Sequence, residues 1–275
     1  MEKESRKKGL KPWKEIGFVR KVWRIVWISI LVLWGLSLFL VLLYRFINPP
    51  LTPLMVQRFF QQVVEPDRKV NFERDYVKLE DISPNLVTAV VYSEDGLFMY
   101  HHGFDVKQLK NSYRENKRGR RVRGGSTISM QTAKNAFLPH RRSYLRKACE
   151  AYFTILIEKV WGKERIMEVY LNVIEFGDGI YGCEAASQHY YGHSAKNLTR
   201  REAAQLAVTL PSPLKRNPAH KTSFFRSQTN VVMGRMGWGR VCVDPDKMRP
   251  NKKYQNQETI WDFVKWLWEE KKKEK

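Results

Sequence analysis

A mainly α-helical protein, entered by one membrane-spanning helix, is predicted by three features of the sequence. Residues 25–44, IVWISILVLWGLSLFLVLLY, run for twenty positions without a charge. From Ser83 onward, apolar residues recur at helical spacing between cap signals. No stretch alternates in polarity long enough to read as a strand.

Composition bounds the rest. The chain has 275 residues, of which 43% are hydrophobic, so it can bury a core and is not disordered throughout. Its formal charge is +21, from 49 Lys+Arg against 28 Asp+Glu. Cys149, Cys183 and Cys242 form no CxxC pair, which excludes a disulfide scaffold and a cysteine-rich zinc module.

The anchor comes first. Residues 1–24 carry a net +6, leaving +15 for the remainder of the +21. Twenty apolar residues make a helix of about 30 Å, the thickness of a bilayer's hydrocarbon core. The run is too long for a typical signal h-region, and Asn48-Pro49-Pro50 follows it where a small-residue cleavage site would stand. Trp23, Trp27 and Tyr44 occupy the positions of interfacial aromatics. The basic flank is N-terminal, so residues 1–24 are expected in the cytoplasm and everything after Tyr44 outside it.

Asn48 to Pro53 cannot continue a helix. Met55, Phe59, Phe60 and Val63 then recur at helical spacing, as in a short amphipathic helix beside the membrane. A linker is expected up to Asp81. Ser83 with Pro84 opens a helix through Leu86, Val90 and Val91. The basic cluster Arg114, Lys117, Arg118, Arg120, Arg121 and Arg123 reads as solvated loop. A helix is expected over Thr127–Phe137, another from the Ser143 cap to about Trp161, and one over Lys163–Phe176. Gly182–Tyr191 follows, then a Thr199-x-x-Glu202 capping box whose helix stops at Pro211. Trp261, Val264, Leu267 and Trp268 mark a last amphipathic helix. The expected segments are 1–24 basic tail, 25–44 membrane helix, 45–80 juxtamembrane segment and linker, 81–240 catalytic domain, and 241–275 amphipathic helix and charged tail.

Three stretches carry chemistry. Glu94 and Asp95 end the Ser83 helix, where the helix dipole and the apolar turn Val87, Val90, Val91 raise a carboxyl pKa. The pair reads as a general acid or base working near neutrality, or as an exposed acidic helix end. Arg123-Gly124-Gly125-Ser126-Thr127 enters the next helix, with Gln131 and Lys134 broadly on the face of Thr127. It is an anion cradle for phosphate or pyrophosphate, or simply a turn; it is not a Walker loop. Arg142-Ser143-x-x-Arg146-Lys147-x-x-Glu150 is a surface ion ladder, or a carboxylate held among cations. His189 and His193 have metal-like spacing but no third ligand. Ser212-x-x-Lys215 and Lys221-Thr222 mimic serine-acyltransferase motifs but stand too close together to enclose such a domain.

Taken together, these stretches resemble the peptidoglycan glycosyltransferase family, the lysozyme-like polymerases of lipid II. The resemblance rests on Glu94-Asp95-Gly-Leu-Phe98 with His101, Gly103 and Asp105, on Gly124-Gly125-Ser126-Thr127 with Gln131, Lys134 and Asn135, and on Arg146-Lys147-Ala-Cys-Glu150. It continues through Ile166 to Asn172 with Phe176-Gly177, and through Glu202 to Ala207. All five stand in the family's order over roughly residues 80–220. Met130 departs from the first position of the family's Gln-Gln pair. The chain has no room for a transpeptidase domain and so resembles the monofunctional, membrane-anchored form.

The resemblance implies a lysozyme-like helical catalytic domain and an inverting β-1,4 glycosyl transfer from a polyprenyl-pyrophosphate donor. It implies Glu94 as the base, Lys134, Arg142 and Arg146 as cations for the departing pyrophosphate, and Lys147 as a substrate-binding residue. Ser126, Thr127, Gln131 and Asn135 would line that site, with Asp95, Phe98 and His101 as further substrate-binding positions. Glu150 would orient the cations or hold a divalent cation (Mg2+ or Mn2+). The implied partners are lipid II, the growing lipid-linked glycan, the membrane and other cell-wall synthesis and division proteins, but not nucleic acid. The implied location is the bacterial inner membrane, single-pass, with a periplasmic catalytic domain. A lysozyme-type peptidoglycan-cleaving enzyme and a membrane-tethered scaffold for anionic wall polymer are the rivals; the first leaves the cation clusters idle, and the second needs neither Glu94 nor the order of the motifs.

Overall fold

The computed structural model describes residues 17–65, 70–119, 125–140, 143–244, 254 and 257–272. Gly124, Arg142 and the loop cations Arg120, Arg121 and Arg123 lie outside them. The chain divides into two compact units, Met1–Leu43 and Tyr44–Lys275.

The first unit is carried by α1 (Phe18–Phe46), which starts before the uncharged run and ends after it. It is long and apolar enough to cross a membrane. Ile25, Ile28, Leu31, Trp34 and Phe39 are exposed around its circumference, as expected of a helix whose solvent is lipid.

In the second unit, Thr52 accepts the Met55 N–H and Pro53 supplies the first turn of α2 (Pro53–Val64). Leu54 and Met55 turn inward against Tyr181, while Val56, Phe59, Phe60 and Val63 face out. Met55 therefore leaves the apolar stripe expected from spacing. The segment expected to be linker contributes β1 (Glu73–Arg74).

Ser83 caps α3 (Pro84–Glu94), which is buried from Leu86 to Val91. The basic run read as loop begins as a helix, α4 (Val106–Lys117), because the Asp105 carboxylate accepts the Gln108 N–H at 2.8 Å. Thr127 caps α5 (Ile128–Phe137), and Ser143 caps α6 (Tyr144–Val160). α7 (Gly162–Val173) stops short of the expected Phe176. Glu175–Gly177 is instead β2, antiparallel to β3 (Ile180–Tyr181), which runs parallel to β1. Gly179 makes the turn at φ +74°, with a would-be Cβ 2.0 Å from the Asn71 carbonyl oxygen. α8 (Cys183–Tyr191) and the capping-box helix α9 (Arg200–Thr209) follow. α10 (Ser223–Met236) and α11 (Ile260–Lys272) complete the order.

Two helical groups form the core. α3 packs on α9 and α10, and α5 packs on α6 and α7. α5 is the central strut: Ile128, Met130, Ala133 and Ala136 are buried, while Gln131 and Lys134 keep one face. The candidate site lies where the end of α3 meets the start of α5.

Candidate active site

Asp95 joins the two helices. Its carboxylate accepts the Ile128 N–H at 2.9 Å, supplementing the Thr127 cap. It also receives His101 Nε2 at 2.9 and 3.0 Å, while His101 Nδ1 accepts the Gly103 N–H at 3.1 Å. That second bond requires an unprotonated Nδ1, so Nε2 carries the proton given to Asp95. Thr127 Oγ1 donates to the Gly103 carbonyl at 2.6 Å and accepts from Met130 N–H. Gly103 holds φ +91° with a would-be Cβ 2.8 Å from Thr154 Cγ2 on α6, so only glycine fits this close approach. Asp95, Phe98, His101 and Thr127 are all buried. They face the frame of the site, not its opening.

Lys163 and Glu158, unremarked in the sequence, brace this loop from behind. Lys163 Nζ donates to the His101 carbonyl and to Glu158 Oε1, both at 2.7 Å, and sits 4.6 Å from the Phe98 ring centroid. The Ser129 hydroxyl closes the network on Glu158.

Glu94, the last residue of α3, accepts the Gln131 side-chain N–H at 2.8 Å. Burial raises its pKa above the ordinary carboxyl value. The Gln131 bond opposes that, the neighbouring Asp95 charge adds to it, and Lys134 and Arg216 oppose it. The other end of the Gln131 amide accepts the Tyr170 hydroxyl at 3.2 Å. Gln131 thus sits with the carboxylate, where the sequence had suggested the pyrophosphate cradle.

The cations gather one to two turns along. Glu150 on α6, only 2% exposed, holds Arg146 Nη1 at 2.6 Å and Lys147 Nζ at 2.5 Å, one on each oxygen. Lys147 also donates to Ser126 Oγ at 3.3 Å. Lys134 is driven below the ordinary lysine pKa by burial. Glu150 resists the shift, Arg146 and Lys147 add to it, and Glu94 also resists. Lys134 therefore senses both carboxylates and links the two halves of the site. Asn135 is buried on the same helix. His140 lies in the same field: burial first, then Lys134, Arg58 and Arg146, push its pKa down to about 3. Its Nδ1 is buried without a partner. A metal does not fit Glu150, whose two oxygens face two cations. Among the described residues no three His, Cys, Asp or Glu side chains form a metal-holding group.

The site therefore pairs a partly buried carboxylate of raised pKa with a cation cluster in which Lys134 is desolvated and Arg146 and Lys147 are partly exposed. A family model described as Transglycosylase matches residues 61–237. A Caulobacter vibrioides protein named biosynthetic peptidoglycan transglycosylase is 51% identical over 199 residues, covering 72% of this chain and 84% of that relative. A Rhodospirillum centenum protein of the same name is 47% identical over 223 residues, or 78% and 94% of the two chains. A third, from Haemophilus influenzae, is 40% identical over 222 residues, or 80% and 90%.

Proposed function

The chain belongs to the transglycosylase family and is a peptidoglycan glycosyltransferase that polymerises glycan chains, and on that premise we propose that Glu94 is its base and that Lys134, Arg146 and Lys147 receive the leaving pyrophosphate. The observation that carries this reading is their arrangement along α5, with Glu94 bonded to Gln131 and Lys134 facing Glu150 one turn on.

Glu94 removes the proton from the 4-hydroxyl of the acceptor's N-acetylglucosamine. The freed oxygen attacks C1 of the donor sugar from the face opposite its pyrophosphate. The C1–oxygen bond breaks, its electron pair leaves with the polyprenyl pyrophosphate, and C1 inverts. A pyrophosphate departs as a stable anion, so fixed cations serve where a glycosidase needs a proton donor. Burial suits both roles: it strengthens Glu94 as a base and keeps water from screening Lys134. Glu150 sets Arg146 and Lys147 in place. Ser126 lines the pyrophosphate site, Arg142 being outside the described residues, while Thr127, Asn135, Asp95, His101 and Phe98 hold its walls.

The lysozyme-type alternative is not favoured. It leaves the cation cluster idle, and Glu150, with a cation on each oxygen, is not free to act as the second carboxylate, whether nucleophile or base. The apolar helix α1 supports a single-pass anchor, and the basic N-terminal flank supports a cytoplasmic N-terminus with the domain on the periplasmic face of the inner membrane. Incubation of the purified chain with labelled lipid II tests the proposal: polymer is expected. No polymer from lipid II but cleavage of preformed peptidoglycan strands would establish the lysozyme-type reading, and no product from either substrate would establish a binding scaffold.

A further inference from the structure

Tyr170 lies on α7, remote in sequence from both functional stretches, and its ring is fully buried. A buried hydroxyl needs a partner, and this one donates to Gln131 Oε1 at 3.2 Å. The same amide gives its N–H to Glu94 Oε2 at 2.8 Å. The two ends of a glutamine amide occupy similar volumes, so shape alone does not fix which one faces the carboxylate. We propose that Tyr170 is a positioning residue for the base: its hydroxyl fixes the Gln131 amide so that the N–H, not the carbonyl, meets Glu94. The inference rests on Glu94 being the base.

A phenol can give or accept a hydrogen bond, but only when Tyr170 gives its proton to Gln131 Oε1 does the amide N–H reach Glu94. Burial, with the nearby Glu94 and Asp95 charges, raises the Tyr170 pKa well above its ordinary value. The phenol stays protonated, and its O–H goes to an acceptor. With the amide carbonyl held by that donor, the N–H end points at Glu94 and stabilises the ionised carboxylate. A flipped amide would set its carbonyl against an anion. The charged groups around Glu94 are Asp95 beside it, Lys134 on α5 and Arg216 in the loop after α9. Tyr170→Phe changes none of them.

The test is the pH dependence of kcat/KM for lipid II polymerisation by the full chain. A base that must be ionised gives an acid limb, and weakening the Gln131 donation raises the pKa behind it. Tyr170→Phe should move that limb to higher pH by about one unit, while activity on the alkaline plateau is nearly preserved. Gln131→Leu should move it at least as far, and adding Tyr170→Phe to Gln131→Leu should move it no further. A Tyr170 that served packing alone would lower the melting temperature and leave the limb in place. Superimposed limbs for Tyr170→Phe and the unsubstituted chain, or an undiminished extra shift in the double variant, would overturn the relay. If Tyr170→Phe does not fold, an unmoved limb in Gln131→Leu overturns it instead. Glu94→Gln separates the two readings: retained turnover with an acid limb there means another base and fails the parent proposal, whereas a dead Glu94→Gln with unmoved limbs fails the relay alone.

Discussion

Glu94 is held where a carboxylate is least comfortable, and stability should register that. Its pKa is raised in the folded chain, chiefly by burial. Above that raised pKa the fold carries the cost of a buried anion; below it Glu94 takes up a proton and the cost vanishes. Glu94→Gln should therefore raise the melting temperature at pH 8 and by less at pH 4, as calorimetry at the two pH values would register. An equal gain at both would mean that the charge is not the cause. The cations obey a related logic. Lys134 is mostly desolvated and Arg146 is fixed on buried Glu150, whereas Arg118 is exposed at the end of α4. Lys134→Ala and Arg146→Ala should each lower kcat by ~10²-fold. Arg118→Ala should stay within about twofold. Comparable losses from all three would point to diffuse attraction of the substrate by net charge.

At the scale of elements, local chemistry was legible and long-range chemistry was not. Ser83, Thr127, Ser143 and Thr199 declare their helices because a cap is a contact across two or three residues. The sheet was silent, since strands of two or three residues are too short to show alternation. α4 was hidden by its charge, and its Asp105 cap is seen only in the structure. The part of Tyr170 was invisible because its partner lies 39 residues away in the chain. α2 shows both sides. Spacing revealed an amphipathic helix, but the inner face is set by distant partners. Arg58 pairs with Glu175 at 3.0 Å, and Gln62 donates to Asp178 at 2.9 Å. The outer face, with Phe59 at 42% and Phe60 at 61% exposure, has the character of a membrane-surface helix. A chain lacking residues 1–43 should therefore still sediment with anionic vesicles, in part salt-resistantly, since salt screens charge over ~10 Å at 0.1 M but not apolar insertion. Substituting Phe59 and Phe60 by Ser should abolish the salt-resistant fraction. Indifference to vesicles at low salt would assign the stripe another role.

Across the whole molecule, a lipid-soluble helix, a basic domain and an anionic lipid-linked substrate make one consistent arrangement. The order of five motifs made the family legible from the sequence, because five short patterns in one order are far more specific than any one of them. Which residues hold the frame was not legible: Asp95, His101 and Thr127 share motifs with Glu94 and Ser126, yet they are the more deeply buried. The central claim is that one carboxylate at the end of α3 activates the acceptor while cations on α5 and α6 take the leaving group. Single-turnover analysis of labelled lipid II with the full chain and with Glu94→Gln tests it most directly. The account predicts polymer and free polyprenyl pyrophosphate from the former, with a loss of ~10²–10⁴-fold in the latter despite an intact fold. Polymer formed by Glu94→Gln at a near-normal rate would contradict it.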